Sequence, residues 1–200
     1  MNDKHIIKAI YFDFDGVMTL DKNGTPTIIS YISKNTGLPL DLVDAAYRKH
    51  NEDLLAGRIT HREMWDDFCR SVGMDVDYGI LEQSFLDVRL DKRMTELVRR
   101  YKNKYLVGMI TDNKADRIEA IIENTELKGL FDAVIISGNI RSLKKEEPIF
   151  REALKAFGLR ADECVFIDNN PKNLIVPEKM GFKTIFFDHA KRDYTEVSSF

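Results

Sequence analysis

An apolar run that halts on acids is the feature that most restricts how this chain can fold. Ile6-Ile7-Lys8-Ala9-Ile10-Tyr11-Phe12 leads directly into Asp13-Phe14-Asp15-Gly16-Val17-Met18-Thr19. Its length and β-branched content predict a buried strand over residues 7–12, and in open α/β sheets chemistry gathers at the carboxyl ends of strands. Residues two apart on an extended segment share a side, so Asp13 and Asp15 can face one pocket while Phe14 turns into the core. Gly16 lets the chain leave at a sharp angle. Taken alone, an Asp-x-Asp-Gly segment is better explained as an acidic turn.

The rest of the chain changes that balance. Asp21-Lys22-Asn23-Gly24 is a turn signal expected to close a short flap beside the first strand. From about Thr25 to Val88 helical spacing dominates. Ile28, Ile29, Ile32 and Leu38 mark a helix stopped near Gly37, and Leu42, Val43, Ala46, Tyr47, Leu54 and Leu55 mark a second ending at Gly57. Thr60-His61-Arg62-Glu63 has capping-box spacing ahead of Met64, Trp65, Phe68 and Val72, and a fourth helix is expected from Asp77 to Val88. After Asp91, apolar runs at Tyr105–Ile110, Ala133–Ile136, Cys164–Ile167 and Lys183–Phe187 alternate with helical segments near 92–103, 114–125, 147–157 and 172–180. With the first strand these make five, and such alternation predicts a parallel sheet covered on both faces. The tail from Ala190 to Phe200 shows no period.

Three of the later strand ends carry polar groups. Thr111-Asp112-Asn113 offers a hydroxyl and the open amides of a helix start, a natural phosphate cradle, although Asn113 could simply cap the helix. Lys144 and Lys145 precede Glu146-Glu147-Pro148, which reads as a helix's first turn; a lysine there is ordinarily a solvated charge. Asp168-Asn169-Asn170-Pro171 follows the fourth run. Asn170 as cap and Pro171 at the first helical position explain part of it, but not Asp168. An acid at that strand end lies near Asp13 and Asp15, and clustered carboxylates need a cation or a proton to relieve their repulsion. Hard oxygen donors of this kind suit magnesium.

In their order, these four motifs resemble those of the haloacid dehalogenase superfamily, most of whose members are phosphatases. The resemblance spans nearly the whole chain. It implies a Rossmann-like parallel-sheet core, residues 1–20 and 89–200, with an inserted four-helix cap, residues 21–88. Carried over residue by residue, it implies that Asp13 attacks phosphorus to give an aspartyl phosphate. Asp15 would act as acid and then base, and Thr111, Asp112, Asn113 and Lys144 would hold the phosphate. Asp13, the Asp15 backbone carbonyl, Asp168 and Asn169 would hold magnesium. Where the pattern has glycine and proline this chain has Arg141 and Lys145, so Lys145 is a possible substitute for Lys144. Where it has a second acid this chain has Asn169.

The cap length, Leu55-Ala56-Gly57-Arg58-Ile59-Thr60 and Asp168-Asn169-Asn170-Pro171-Lys172-Asn173 look most like sugar-phosphate phosphatases of the glucose-1-phosphatase type. The expected partner is a small phosphorylated metabolite, which Arg48, Lys49, His50 or Arg58 could face from the cap. A phosphosugar mutase would use the same Asp pair. A 2-haloacid dehalogenase is disfavoured by Asp15 and Asp168, while a weakened phosphometabolite-binding module is consistent with Asn169.

Composition sets outer bounds. A formal charge of −3 over 200 residues gives no cationic field for nucleic acid or an anionic membrane. No apolar run is long enough for a membrane span, and the run after Lys4 and His5 ends in acids rather than at a cleavage site, so a cytoplasmic location is expected. Cys69 and Cys164 lack metal-site spacing and read as reduced packing residues. Oligomeric state has no sequence signal.

Overall fold

The computed structural model describes residues 6–200, so Lys4 and His5 lie outside the described residues. Five strands, β1 (Ala9–Phe12), β2 (Leu106–Thr111), β3 (Ala133–Ile136), β4 (Cys164–Asp168) and β5 (Lys183–Phe186), form one parallel sheet in the order β3-β2-β1-β4-β5. This is the α/β, Rossmann-like class expected. The strand named in the sequence as 7–12 begins at Ala9. β1 is central, with Phe12 level with Met109 of β2 and Ile167 of β4. The sheet grows away from β1 through β2 and β3 on one side and through β4 and β5 on the other. A crevice therefore opens beyond the ends of β1 and β4, where doubly wound sheets bind ligands.

After β1 the chain runs through α1 (Gly24–Thr36), α2 (Leu40–Leu55), α3 (His61–Val72) and α4 (Tyr78–Leu86) before it returns to the sheet. α1 stops at Gly37, whose φ of 75° favours glycine. The capping box of α3 is formed: Glu63 N donates to Thr60 Oγ1 at 3.3 Å and Thr60 N donates to Glu63 Oε2 at 2.7 Å. Asp77 caps α4 by accepting from Gly79 N at 2.9 Å. Val43, Ala46, Tyr47, Leu54, Met64, Trp65, Phe68 and Val72 are buried as their spacing predicts. Leu42 is not, because α2 turns its neighbour Val43 inward.

The Asp21–Gly24 turn leads into α1 instead of closing a flap. Phe14–Met18 makes one helical turn, and Thr19 forms an isolated antiparallel bridge with Leu90, so the two ends of the helical segment meet.

Both faces of the sheet are covered, because successive β1 side chains point to opposite sides. Ile10 and Phe12 enter the core under α5 (Lys92–Tyr101) and α6 (Ala115–Asn124). Ala9 and Tyr11 enter a second core, and Tyr11 Oη donates to the Ala153 carbonyl at 2.6 Å. A short α7 (Ser137–Ile140), which has no signature in the sequence, precedes α8 (Glu147–Phe157) and α9 (Pro171–Met180), the helices of that second face. Cys69 and Cys164 are free thiols, and no helix among the described residues is long and apolar enough to cross a membrane.

The tail without a period is docked. Tyr194 and Val197 are buried against the first core, and Arg192 and Tyr194 both bond Asp91, the N-cap of α5. Val197→Ala removes two buried methyl groups at roughly 0.8 kcal/mol each and leaves a small cavity, so urea unfolding should show a loss of about 2 kcal/mol. A loss below about 0.5 kcal/mol, the level of a surface change, would mean that the tail is not part of the core.

Candidate active site

Asp13 is placed by the last bond of β1, in which its N–H donates to the Ile167 carbonyl at 2.8 Å. Gly16 then turns the chain with φ 83°, and a Cβ there would lie 1.9 Å from Asn169 Nδ2. The loops after β1 and β4 are therefore in contact, and only glycine fits. Beyond them is a cavity of about 540 Å³ lined by Asp13, Asp15, Thr111, Asp112, Asn113, Lys144 and Asn169. α1 and α2 supply the opposite wall with Thr25, Arg48 and Asn51. Of the eight residues read from the sequence, Asp168 alone lies behind the wall, fully buried.

One ammonium organises the acids. Lys144 Nζ lies 2.8 Å from Asp13 Oδ1 and 2.6 Å from Asp168 Oδ2, so the two carboxylates converge on it. Asp168 also accepts from Asn170 N at 2.7 Å and from Asn173 Nδ2 at 3.0 Å, while Lys144 N donates to Asp112 Oδ1 at 2.8 Å. Burial, with repulsion from Asp168, pushes the Asp13 carboxyl up to about 7, and Lys144 offsets this only in part. Burial works against the Lys144 charge, but Asp13 and Asp168 outweigh it and hold its pKa above the usual lysine value. Burial likewise raises Asp112. Lys145 is exposed, so of the two lysines it is Lys144 that meets the acids and lines the cavity.

Asp15 has a different partner. Arg117 of α6 grips both its oxygens at 2.9 Å, and Asn113 Nδ2 donates to Oδ2 at 2.9 Å. Burial alone would raise its pKa, but Arg117 and Asn113 hold it below the usual carboxylate range. Asn113 is not the helix cap, a place that Lys114 takes. The Asn113 N–H donates to Ser137 Oγ at 2.9 Å, and Lys114 N donates to Asn113 Oδ1 at 3.1 Å. Two amides expected to lie open for phosphate are therefore already engaged, which leaves the Thr111 hydroxyl and Lys144 as the donors the sequence named. Ser137 Oγ donates in turn to the Leu55 carbonyl at 2.6 Å, tying this loop to the end of α2.

Among the basic residues expected to face a substrate, only Arg48 lines the cavity, while it also pairs with Asp44. Lys49 and His50 both bond Asp67, and Arg58 pairs with Asp53. The sequence reading missed Lys114 and Arg117. A signal existed, since two cations at the start of α6 oppose the helix dipole and need a nearby acid or anion. It was masked because Asp15, the acid in question, is roughly a hundred residues away in sequence.

The donor set suits a hard cation. Two carboxylates share one ammonium, so the site keeps an excess of negative charge, and Asn169 and the Asp15 carbonyl add neutral oxygens. Among the described residues no three His, Cys, Asp or Glu side chains form a ready metal cluster. A magnesium ion here would keep several waters, as that ion commonly does.

Residues 7–181 match the model of the haloacid dehalogenase-like hydrolases. The chain belongs to this family. It is 32% identical over 204 residues to a glyceraldehyde 3-phosphate phosphatase of Pyrococcus abyssi, covering 93% of this chain and 83% of that protein. It is 27% identical over 210 residues to the Pyrococcus furiosus protein of the same name, covering 96% and 84%. A HAD family enzyme from Bacteroides thetaiotaomicron, solved with magnesium and inorganic phosphate, has the same fold, with a TM-score of 0.79, 19% identity and coverage of 96% of this chain and 98% of that one. The family match and the two phosphatase relatives support a haloacid dehalogenase-like phosphatase.

Proposed function

We propose that the protein is a magnesium-dependent phosphatase that hydrolyses a small phosphate monoester, of the sugar-phosphate type, through an aspartyl phosphate on Asp13. The observation that carries this reading is the convergence of Asp13, Asp15, Thr111 and Lys144 on one cavity at the end of the central strand. Asp13 attacks phosphorus, splitting one difficult transfer into two easier ones. Asp15 is ionised while Arg117 holds it, so it leaves Arg117 and takes up a proton as substrate binds, gives that proton to the departing alcohol and then takes one back from the hydrolytic water. Lys144 and the Thr111 hydroxyl hold the charge spread over the phosphoryl oxygens, where most help for this reaction is obtained. Magnesium, held by Asp13, the Asp15 carbonyl, Asp168 and Asn169, would supply further positive charge there. Residues 21–88 act as a cap that excludes water and contacts the organic part of the substrate, and a cavity of about 540 Å³ suits a metabolite rather than a phosphoprotein. Both phosphatase relatives are named for a three-carbon phosphate, which fits that size. Turnover of p-nitrophenyl phosphate that requires magnesium supports the reading; none in either condition overturns it.

General acid–base catalysis contributes roughly 10²–10⁴-fold, so Asp15→Asn should slow phosphoryl-enzyme formation on that scale for alkyl esters and far less for aryl esters, whose leaving groups need little protonation. Equal losses for both would remove Asp15 from the acid role.

Asn169 brings an amide oxygen where the family pattern has a second acid, so the site lacks one negative charge. Asn169→Asp should lower the magnesium concentration that gives half-maximal activity. Asp168→Asn should raise it or eliminate activity, either by removing a ligand or by releasing Lys144 and Asn173 from their places. An indifferent Asp168→Asn variant would put the metal elsewhere.

A further inference from the structure

Most charged side chains at the cavity have an ionic partner. Lys144 is neutralised by Asp13 and Asp168, Asp15 by Arg117, and Arg48 by Asp44. Lys114 is different. It is only 3% exposed, yet among the described residues it forms no ion pair. Its Nζ donates to Thr25 Oγ1 at 2.7 Å, and Thr25 passes the bond on to Asn51 Oδ1 at 3.0 Å. The ring of Tyr47 lies 5.7 Å away.

Thr25, Asn51 and Lys114 all line the same cavity as Asp13, and Thr25 and Asn51 stand on α1 and α2. The nearby acids are committed elsewhere, Asp15 to Arg117 and Asp116 to His61 at 2.7 Å. Arg117 and Arg48 add positive charge around it. Burial and this like charge push Lys114 down to about 7. A buried ammonium with a single hydroxyl partner is costly, and an anion brought by a ligand removes that cost.

We infer that Lys114, steadied by Thr25 and Asn51 and assisted by Arg48, forms a second anion subsite that takes a carboxylate at the end of the substrate remote from its phosphoryl group. The substrate class is then a small phosphorylated hydroxy acid. This inference rests on the phosphatase reading and narrows its substrate. Ammonium–carboxylate hydrogen bonds are about twice as strong as neutral ones, so an alcohol in the same place leaves the subsite poorly matched.

The test compares 3-phosphoglycerate, glyceraldehyde 3-phosphate and glycerol 3-phosphate, which share a three-carbon skeleton and differ at the far end as carboxylate, aldehyde and alcohol. Wild-type enzyme should favour the carboxylate over the alcohol by at least about tenfold in kcat/KM, chiefly through KM, a difference of the size one good charged contact supplies. Lys114→Met should reduce this preference to within about twofold, Lys114→Arg should retain part of it, and Thr25→Val should weaken it. If Lys114→Met does not fold, the wild-type ranking and Thr25→Val still decide. Equal use of the three esters, preference for the alcohol or aldehyde, or an undiminished preference in folded Lys114→Met overturns the subsite. Wild-type hydrolysis of p-nitrophenyl phosphate is measured alongside: its presence leaves the phosphatase reading standing when the subsite fails, and its absence overturns both.

Discussion

Asp13→Asn should reduce hydrolysis to below detection while leaving the protein at least as stable as wild type. The first half follows from chemistry, since an amide of nearly the same shape is a poor nucleophile. The second follows from the site. Burial and Asp168 push the Asp13 carboxyl up to about 7, so the folded state binds its proton more tightly than the unfolded chain does. A carboxyl shifted upward in this way costs stability as pH rises from the ordinary carboxylate range toward about 7, and the cost is constant above that. The neutral amide of the variant escapes it. Urea unfolding without added magnesium should therefore show the variant gaining on wild type between about pH 4 and pH 7, with no further gain above. A variant that loses both activity and stability would make Asp13 a structural acid, and one that keeps wild-type turnover would remove the covalent mechanism.

Lys144→Met should have the largest effect on stability. Lys144 is 1% exposed and stands between Asp13 and Asp168, so its loss leaves two carboxylates facing each other in a buried place. Removing one partner of a buried ion pair costs about 3–5 kcal/mol, because the charges left behind are uncompensated. Activity should fall with it, since the ammonium proposed to hold the phosphoryl oxygens is gone. Combining Lys144→Met with Asp168→Asn should recover part of the stability but none of the activity, the non-additivity expected of residues in one network. Lys145→Met, at an exposed position, should change stability by less than about 0.5 kcal/mol. Comparable effects at 144 and 145 would contradict the geometry.

Much of the fold is legible because its signals are local. The strand of Ala9–Phe12 is apolar on both sides, as a strand covered on two faces must be, and the capping box at Thr60 and the glycine stop at Gly37 depend on neighbours within a few residues. Asp13, Thr111 and Asp168 are legible for a related reason: each stands where an apolar run ends, and parallel strands bring such ends together, whereas Lys144, beyond α7, is singled out only by the family resemblance. What sequence hides is long-range. Arg117 looks like a surface cation of an amphipathic helix, and only folding shows it holding Asp15. Arg192 and Tyr194 lie in a tail without a period, and their role is visible only once Asp91 is beside them. The flap expected at Asp21–Gly24 failed because a turn signal gives a change of direction and not the element that follows it. Here that element is α1.

The stereochemical course at phosphorus tests the central claim most directly. A phosphorothioate ester made chiral at phosphorus with oxygen isotopes is hydrolysed by the wild-type enzyme in water carrying the third isotope, and the configuration of the released thiophosphate is determined. Attack by Asp13 followed by attack of water inverts the centre twice, so the account predicts net retention. Net inversion would mean that water attacks the substrate in one step, and Asp13 would not be the nucleophile.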